Sequence, residues 1–308
     1  MKNPVFILWS IVAALLTFGL ARLVDNAYFY FAGYVVLQYV VLASAWNILG
    51  GYTGYVNFGI PAFIALGAYS SVVLHKLTSL PLPAMMVAGG IISGLVGVGT
   101  GYLTLRLRGT FFSIATLAMA VVMQTLITNW AFVGGSRGAY IIRPPQTEYF
   151  GLDYIQYLFL LMLALSVIVV AVARAIENSR LGYGFATIRD DELAAEASGV
   201  PTLKLKLIAC GLSGGFMGMA GAPLPYYVTY LDPASAFSLS YAVNTIAMPL
   251  IGGTSSWLGP ILGALLLGTL QQVATVTISS ALSLLIVGVM LVVFVVAAPK
   301  GIIGWFRK

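Results

Sequence analysis

Runs of about twenty mostly apolar residues, repeated along the whole sequence, constrain this chain more than any other feature. A helix of that length crosses the roughly 30 Å of hydrocarbon in a bilayer. Hydrophobic residues fill 60% of 308 positions and only 8% are charged, whereas soluble domains are roughly 45–50% apolar and about 25% charged. Mean hydropathy is +0.99. The ten-residue alternating strands and aromatic girdles of an outer-membrane barrel are absent. The sequence therefore predicts an all-α integral membrane protein, a single transmembrane domain over residues 1–308.

Ten spans are expected, at about 5–24, 29–49, 58–75, 83–105, 111–131, 154–173, 203–224, 239–251, 257–276 and 281–298. The eighth is short. The opening Met1-Lys2 and Pro4–Leu20, with Gly19-Leu20-Ala21 as a cleavage site, has the outline of a secretory signal. That run is long for a signal and further spans follow, so it reads as the first span. With the amino terminus inside, Lys2, Arg106, Arg108, Arg174, Arg180, Arg189, Lys204, Lys206, Lys300, Arg307 and Lys308 face the cytoplasm. Only Arg22, Lys76, Arg137 and Arg143 face outward. This is the asymmetry of the positive-inside rule, and it puts both termini inside. The net charge of +6 is thus read as orientation in the membrane, and no nucleic-acid partner is expected.

Small residues recur at four-residue spacing: Gly90/Gly94, Gly97/Gly101, Gly211/Gly215, Gly214/Gly218/Ala222 and Gly259/Gly263. Such spacing lets helix backbones approach closely in lipid. Pro61, Pro223, Pro225, Pro249 and Pro260 lie in or beside apolar runs, where each removes a backbone donor and predicts a broken or kinked helix.

Catalytic and metal chemistry finds little support. Cys210 is the lone cysteine and His75 the lone histidine, so neither an internal disulfide nor a multi-histidine metal site is possible. Two G-x-S-x-G matches occur, Gly134–Gly138 around Ser136 and Gly211–Gly215 around Ser213. A serine nucleophile needs a base, and neither match sits on a strand-to-helix elbow within reach of His75. No Gly-Lys pair exists, so the chain has no P-loop of its own for ATP. No carboxylate falls inside a span, which argues against an ion-coupled carrier, because coupling ions need a charged or titrating ligand. The expectation is a pathway lined by neutral polar groups and powered elsewhere.

Neutral polar residues within spans are Gln38, Asn47, Asn57, Gln124, Thr128, Asn129, Asn244 and Gln271. Helix-to-helix hydrogen bonding and solute contact both remain open for them. Asn57 stands out, because it follows Gly50-Gly51-Tyr52-Thr53-Gly54-Tyr55 and precedes Pro61. A non-helical approach there would expose backbone groups to a polar solute. Thr53, Asn57, Phe58, Asn129 and Asn244 are the candidate pathway residues.

One segment breaks the apolar pattern. Ten charged side chains lie between Arg174 and Lys206, in a chain with fifteen Lys and Arg and nine Asp and Glu. This stretch has to meet water, and a water-side helix is a handle for a soluble partner. Asp190 or Asp191 caps a short helix, Gly199 suits its C′ position, and Pro201 prevents continuation. Ala194, Ala195, Ala197 and Ser198 would let it lie close in a partner's groove, with Arg189, Glu192 and Glu196 at the rim.

These residues together resemble the permeases of branched-chain amino-acid ABC importers, specifically the LivM type. The resemblance rests on Gly51-Tyr-Thr-Gly-Tyr-Val-Asn-Phe-Gly59, Arg106–Ala118, Gly134-Gly135-Ser136-Arg137-Gly138, Arg180-Leu-Gly182 with Ile188–Gly199, Ala220–Ala222, Ile251–Gly253 with Gly259–Ala264, and Pro299-Lys-Gly301. It implies a fold similar to that of the vitamin B12-type importers, in a bacterial inner membrane. It implies a second, LivH-like permease with a solute path between the two, two cytoplasmic ATPases that carry ATP and Mg, and a periplasmic binding protein. Residues 175–202 would then be the coupling segment, through Arg189, Asp190, Glu192, Ala195, Glu196 and Gly199. Gly134, Gly135, Ser136 and Gly138 would receive the binding protein. No catalytic residue, metal or cofactor is expected in this chain. Tyr55, Asn57 and Ile60 replace the family's common Gln, Ser and His, and Ser255 replaces a glycine. Urea and short amides therefore stand beside amino acids as solutes, with ion-coupled transport as the mechanistic rival.

Overall fold

The computed structural model describes residues 17–19, 26–107, 109–141, 152–277, 280–297 and 301–306. Within them the chain is almost wholly helical, and eight segments are long and apolar enough to cross a membrane. They coincide with the second to ninth expected spans. The tenth corresponds to a helix over Ser280–Ala297. Apart from residues 17–19, which are helical, the first expected span lies outside the described residues.

Helix α1 (Ala27–Thr53) is the central post. It starts at Asn26, whose side chain accepts the Tyr28 N–H at 2.9 Å, and 72% of its most apolar window is buried. Helices α2 (Ile60–Leu77), α3 (Leu82–Thr104) and α4 (Thr110–Thr128) follow. A short ribbon then forms from β1 (Ala139–Tyr140) and the later β2 (Tyr230–Leu231), antiparallel, with Ala139 opposite Leu231. Helix α5 (Tyr154–Glu177) opens on a capping box of Asp153 and Gln156. Two short helices, α6 (Arg180–Asp190) and α7 (Glu192–Ala197), make up the charged segment. The membrane path resumes with α8 (Thr202–Gly221), α9 (Leu224–Val228), α10 (Pro233–Ala236), α11 (Leu239–Gly252), α12 (Leu258–Thr277), α13 (Ser280–Ala297) and α14 (Ile303–Phe306).

The glycine spacing marks the closest helix pairs. The most extensive contact is α3 against α8, built from Gly90, Gly94, Gly97 and Gly101 facing residues 210–219. A methyl group on Gly67 of α2 would lie 1.9 Å from the Gly218 carbonyl oxygen. Ser93 ties this seam, donating to Phe63 O at 3.1 Å and Gly214 O at 2.8 Å. In lipid, where apolar surface gains little by leaving the solvent, such backbone approach supplies the packing energy.

The prolines act differently from one another. Pro61 sits in the first turn of α2 and Pro260 in that of α12, where a missing N–H is harmless, so neither breaks a span. Pro223 and Pro225 do break the path between α8 and α9. Tyr226 N–H turns to Pro223 O at 3.1 Å, and Ser71 donates to the Ala222 carbonyl at 2.8 Å. Gln38 reaches Ala220 O at 3.0 Å. Buried polar side chains thus satisfy carbonyls at the break. Pro249 lies inside α11 near its end.

Candidate functional site

The charged segment folds as two caps joined back to back. Asp191 ends α6 in extended conformation and starts α7, its carboxylate accepting Leu193 N–H at 2.9 Å and Ala194 N–H at 3.1 Å. Gly199, at φ +83, closes α7. The Val200 N–H reaches back to Ala195 O and the Gly199 N–H to Glu196 O, both at 3.0 Å. This is the paired bonding of a Schellman motif, which needs a left-handed residue at C′. Arg189 and Asp190 form an exposed ion pair at 3.4 Å, a contact worth little by itself.

The segment has two faces. Phe185 and Ile188 of α6 are buried and pack with Ile48, Leu49, Tyr52, Tyr55, Leu105 and Phe112 in a cluster separate from the main core. Ala195 and the Glu192 side chain also turn inward. On the other side, Tyr183 is 71% and Leu193 63% exposed, beside Ala194, Glu196, Ala197 and Ser198. Of the six candidate coupling residues, Arg189, Asp190, Glu196 and Gly199 are on the open surface, while Glu192 and Ala195 face the body of the bundle.

Beneath α7 lies a buried polar joint. Lys206, 3% exposed, places its ammonium 2.6 Å from Glu192 Oε1, 3.1 Å from the Tyr55 hydroxyl and 3.0 Å from the Leu105 carbonyl. The Tyr55 hydroxyl donates to the second Glu192 oxygen. Four hydrogen bonds therefore close on one another, which is the condition for holding a charge away from water. The ammonium also lies 4.7 Å from the Tyr55 ring centroid, within cation–π range. A second tie at this end runs from Glu177, which accepts the Trp257 N–H at 2.7 Å just before α12. The Arg174 guanidinium lies over the Trp257 ring at 5.1 Å.

Tyr55 belongs to the loop 54–59, and that loop is a built structure. Gly54 ends α1 at φ +78, with the Arg189 side chain against it. Trp46 Nε1 donates to Asn57 O at 3.0 Å, and Asn57 Oδ1 accepts the Gly59 N–H at 2.7 Å. Ser113 donates to Val56 O at 2.8 Å, and Thr116 accepts the Phe58 N–H at 3.1 Å. The Val56 and Asn57 carbonyls and the Phe58 N–H, among the backbone groups that the sequence offered to a solute, are thus bonded to side chains of α1 and α4.

The five candidate pathway residues do not gather at one point. Thr53 is buried and returns its hydroxyl to Leu49 O at 2.6 Å. Asn57 is buried and Phe58 half-buried in the loop just described. Asn129 is exposed at the far end of α4, donating to Thr125 O at 2.8 Å. Asn244 is buried between Tyr39, whose hydroxyl accepts its amide at 3.0 Å, and Gln271, which donates to its carbonyl at 3.0 Å. That network joins α1, α11 and α12.

The opposite end of the bundle carries Gly134–Gly138. Gly134, Gly135 and Gly138 all have positive φ. The loop packs against β2, and the Tyr230 hydroxyl donates to Arg137 O at 3.0 Å. Ser136, Arg137 and Tyr140 are exposed, while Gly135 is buried. Lys76 donates to Phe132 O at 2.8 Å. Nearby, His75 Nδ1 and the Tyr226 hydroxyl are 3.1 Å apart, at the edge of an open cavity of about 290 Å³ lined also by Thr78, Met85, Tyr154 and Tyr157. The histidine is thus engaged with a tyrosine here, whereas Ser213 is buried within α8. The Ser235 hydroxyl, donated to Asp232, holds that carboxyl below its ordinary range at the start of α10.

Sequence reading missed two residues. Lys206 looks like one more positive charge at a span end, and Tyr55 like a departure from a motif. The available signal was position: Lys206 falls between Leu205 and Leu207, four residues before Cys210, so on a helix it shares the face that packs inward.

The fold defines a multi-pass membrane protein with a two-faced appendage at one end. The chain belongs to the family described as branched-chain amino acid transport system / permease component, whose model matches residues 27–295. It is similar to LivM, the high-affinity branched-chain amino acid transport system permease protein, of Salmonella typhimurium strain LT2 and of Escherichia coli strain K12. Identity is 26% over 297 residues with each, covering 89% of this chain and 69% of the relative. LivH of the same Salmonella strain is 21% identical over 290 residues, covering 86% of this chain and 91% of that one. AraH of Azospirillum brasilense, an L-arabinose ABC transporter permease, is 25% identical over 227 residues, 71% of this chain and 64% of that one. No solved structure matches the chain.

Proposed function

We propose that the chain is the membrane-spanning subunit of an ATP-driven importer, which moves branched-chain or related amino acids inward across the bacterial inner membrane. Its partners are a second, LivH-like permease, two cytoplasmic ATPases that bind ATP and Mg, and a periplasmic binding protein. One observation carries the reading: α6 and α7 bury one face against the bundle and leave Tyr183 and Leu193 open on the other. An apolar side chain beside acidic ones, on a helix outside the bilayer, suits the groove of a soluble motor. Helix α4 supports the permease pair, since only 22% of its most apolar window is covered within this chain. Its remaining surface is free to meet the second permease and line a path with it. Gly134–Gly138, at the other end, receives the binding protein in this reading, and the charge asymmetry supports a cytoplasmic position for the termini and α7.

Substituting tryptophan for Ala194 or Ala197, both exposed on α7, tests the docking face. Copurification of the ATPases and solute uptake by the reconstituted transporter should both be lost, with the bundle still inserted and monodisperse. Uptake at the parental rate would rule out this face as the docking surface. Orientation has its own check, because the native Cys210 is buried. A membrane-impermeant maleimide should label Ser198→Cys only from the cytoplasmic side and Ser136→Cys only from the periplasmic side; labelling in the reverse sense would invert the topology. Competition for uptake by leucine, arabinose, urea and acetamide then identifies the solute class.

A further inference from the structure

We infer that Tyr55, Glu192 and Lys206 are positioning residues that pass displacement of α7 into the loop 54–59 and, through it, into α4; this rests on the motor docking at α7. The contacts form an unbroken series. Glu192, the first residue of α7, bonds to Lys206 at 2.6 Å and receives the Tyr55 hydroxyl. The neighbouring Gly54 lies against Arg189, the penultimate residue of α6. From Tyr55 the loop continues to Val56, whose carbonyl is held by Ser113, and to Phe58, whose N–H is held by Thr116. Ser113 and Thr116 both belong to α4, the least covered of the eight apolar spans among the described residues. Lys206 adds a branch to Leu105, at the corner between α3 and α4.

The chemistry suits transmission. A lone hydrophobic contact lets one element slide over another, whereas this joint fixes direction through charge-assisted bonds in a dry setting. Breaking it under load would leave a carboxylate and an ammonium unpaired, so α7 and the loop move together. The bonds from Ser113 and Thr116 carry the loop with α4, and the Trp46 bond to Asn57 O ties it back to α1.

The measurement uses the complete transporter, reconstituted in vesicles, with Tyr55→Phe and Tyr55→Gln compared. Tyr55→Phe keeps the ring, which meets Phe112 edge-on at 5.2 Å between centroids, and loses the hydroxyl. Tyr55→Gln loses the ring and keeps a group that donates to Glu192 and accepts from Lys206. The expectation is a fall of about tenfold in solute moved per ATP hydrolysed for Tyr55→Phe, with the ATPases still copurifying, and a smaller fall for Tyr55→Gln. The opposite order would make Tyr55 a packing residue and overturn the inference, as would loss of ATPase copurification in Tyr55→Phe. Failure of the ATPases to copurify with the parental chain would instead remove the docking reading itself.

Discussion

Replacing Lys206 with methionine is expected to destabilise the folded protein by about 3–5 kcal/mol, the range for breaking a buried ion pair from one side. The Glu192 side chain is only 11% exposed. Without the ammonium it retains the Tyr55 hydroxyl and loses the positive charge that offset its removal from water. The variant should show a lowered detergent unfolding midpoint and readier cleavage between α5 and α8. Combining Lys206→Met with Glu192→Gln should recover most of that loss, because no buried charge remains and a carboxamide still accepts from Tyr55. A single variant as stable as its parent would mean that the pair does not sit in the dry joint described.

A comparably large effect is expected at the contact between α11 and α12. An added methyl at Gly263 would lie 1.8 Å from Met248 O, and one at Gly259 would lie 1.7 Å from Gly253 O. Both obstacles are backbone, so no side chain can turn aside. Gly263→Ala should therefore cost at least about 3 kcal/mol, at or beyond the top of the usual overpacking range. Yield of monodisperse protein and its unfolding midpoint both report it. Gly99→Ala is the control: nothing lies within 4 Å of its added methyl, and alanine favours a helix over glycine by about 1 kcal/mol. If the two variants behave alike, the α11–α12 contact is looser than these distances require.

Much of this architecture could be read directly from residues. Apolar runs located the spans because lipid demands length and low charge. Small residues at four-residue spacing marked the α3–α8 seam because that spacing puts them on one face. Asp191 and Gly199 marked the ends of α7 because caps are local chemistry. The faces of α7 were not legible: six residues with alanine on several sides give no periodic contrast, so Glu192 and Ala195 could equally have pointed at a partner. The joint was hidden for a different reason. Tyr55 and Lys206 are 151 residues apart, and nothing local announces that a tyrosine in a loop and a lysine at a span end will share a carboxylate. Asn57 looked available to a solute because its turn bond and its bond from Trp46 of α1 belong to the folded state alone.

The α3–α8 seam has a mechanical consequence. Two helices that meet largely through glycine backbone have few interposed rotamers to rearrange, so they move as one stiff beam. Any rearrangement of the bundle then has to flex in the non-helical joins that flank the beam, among them residues 78–81, 198–201 and 222–223.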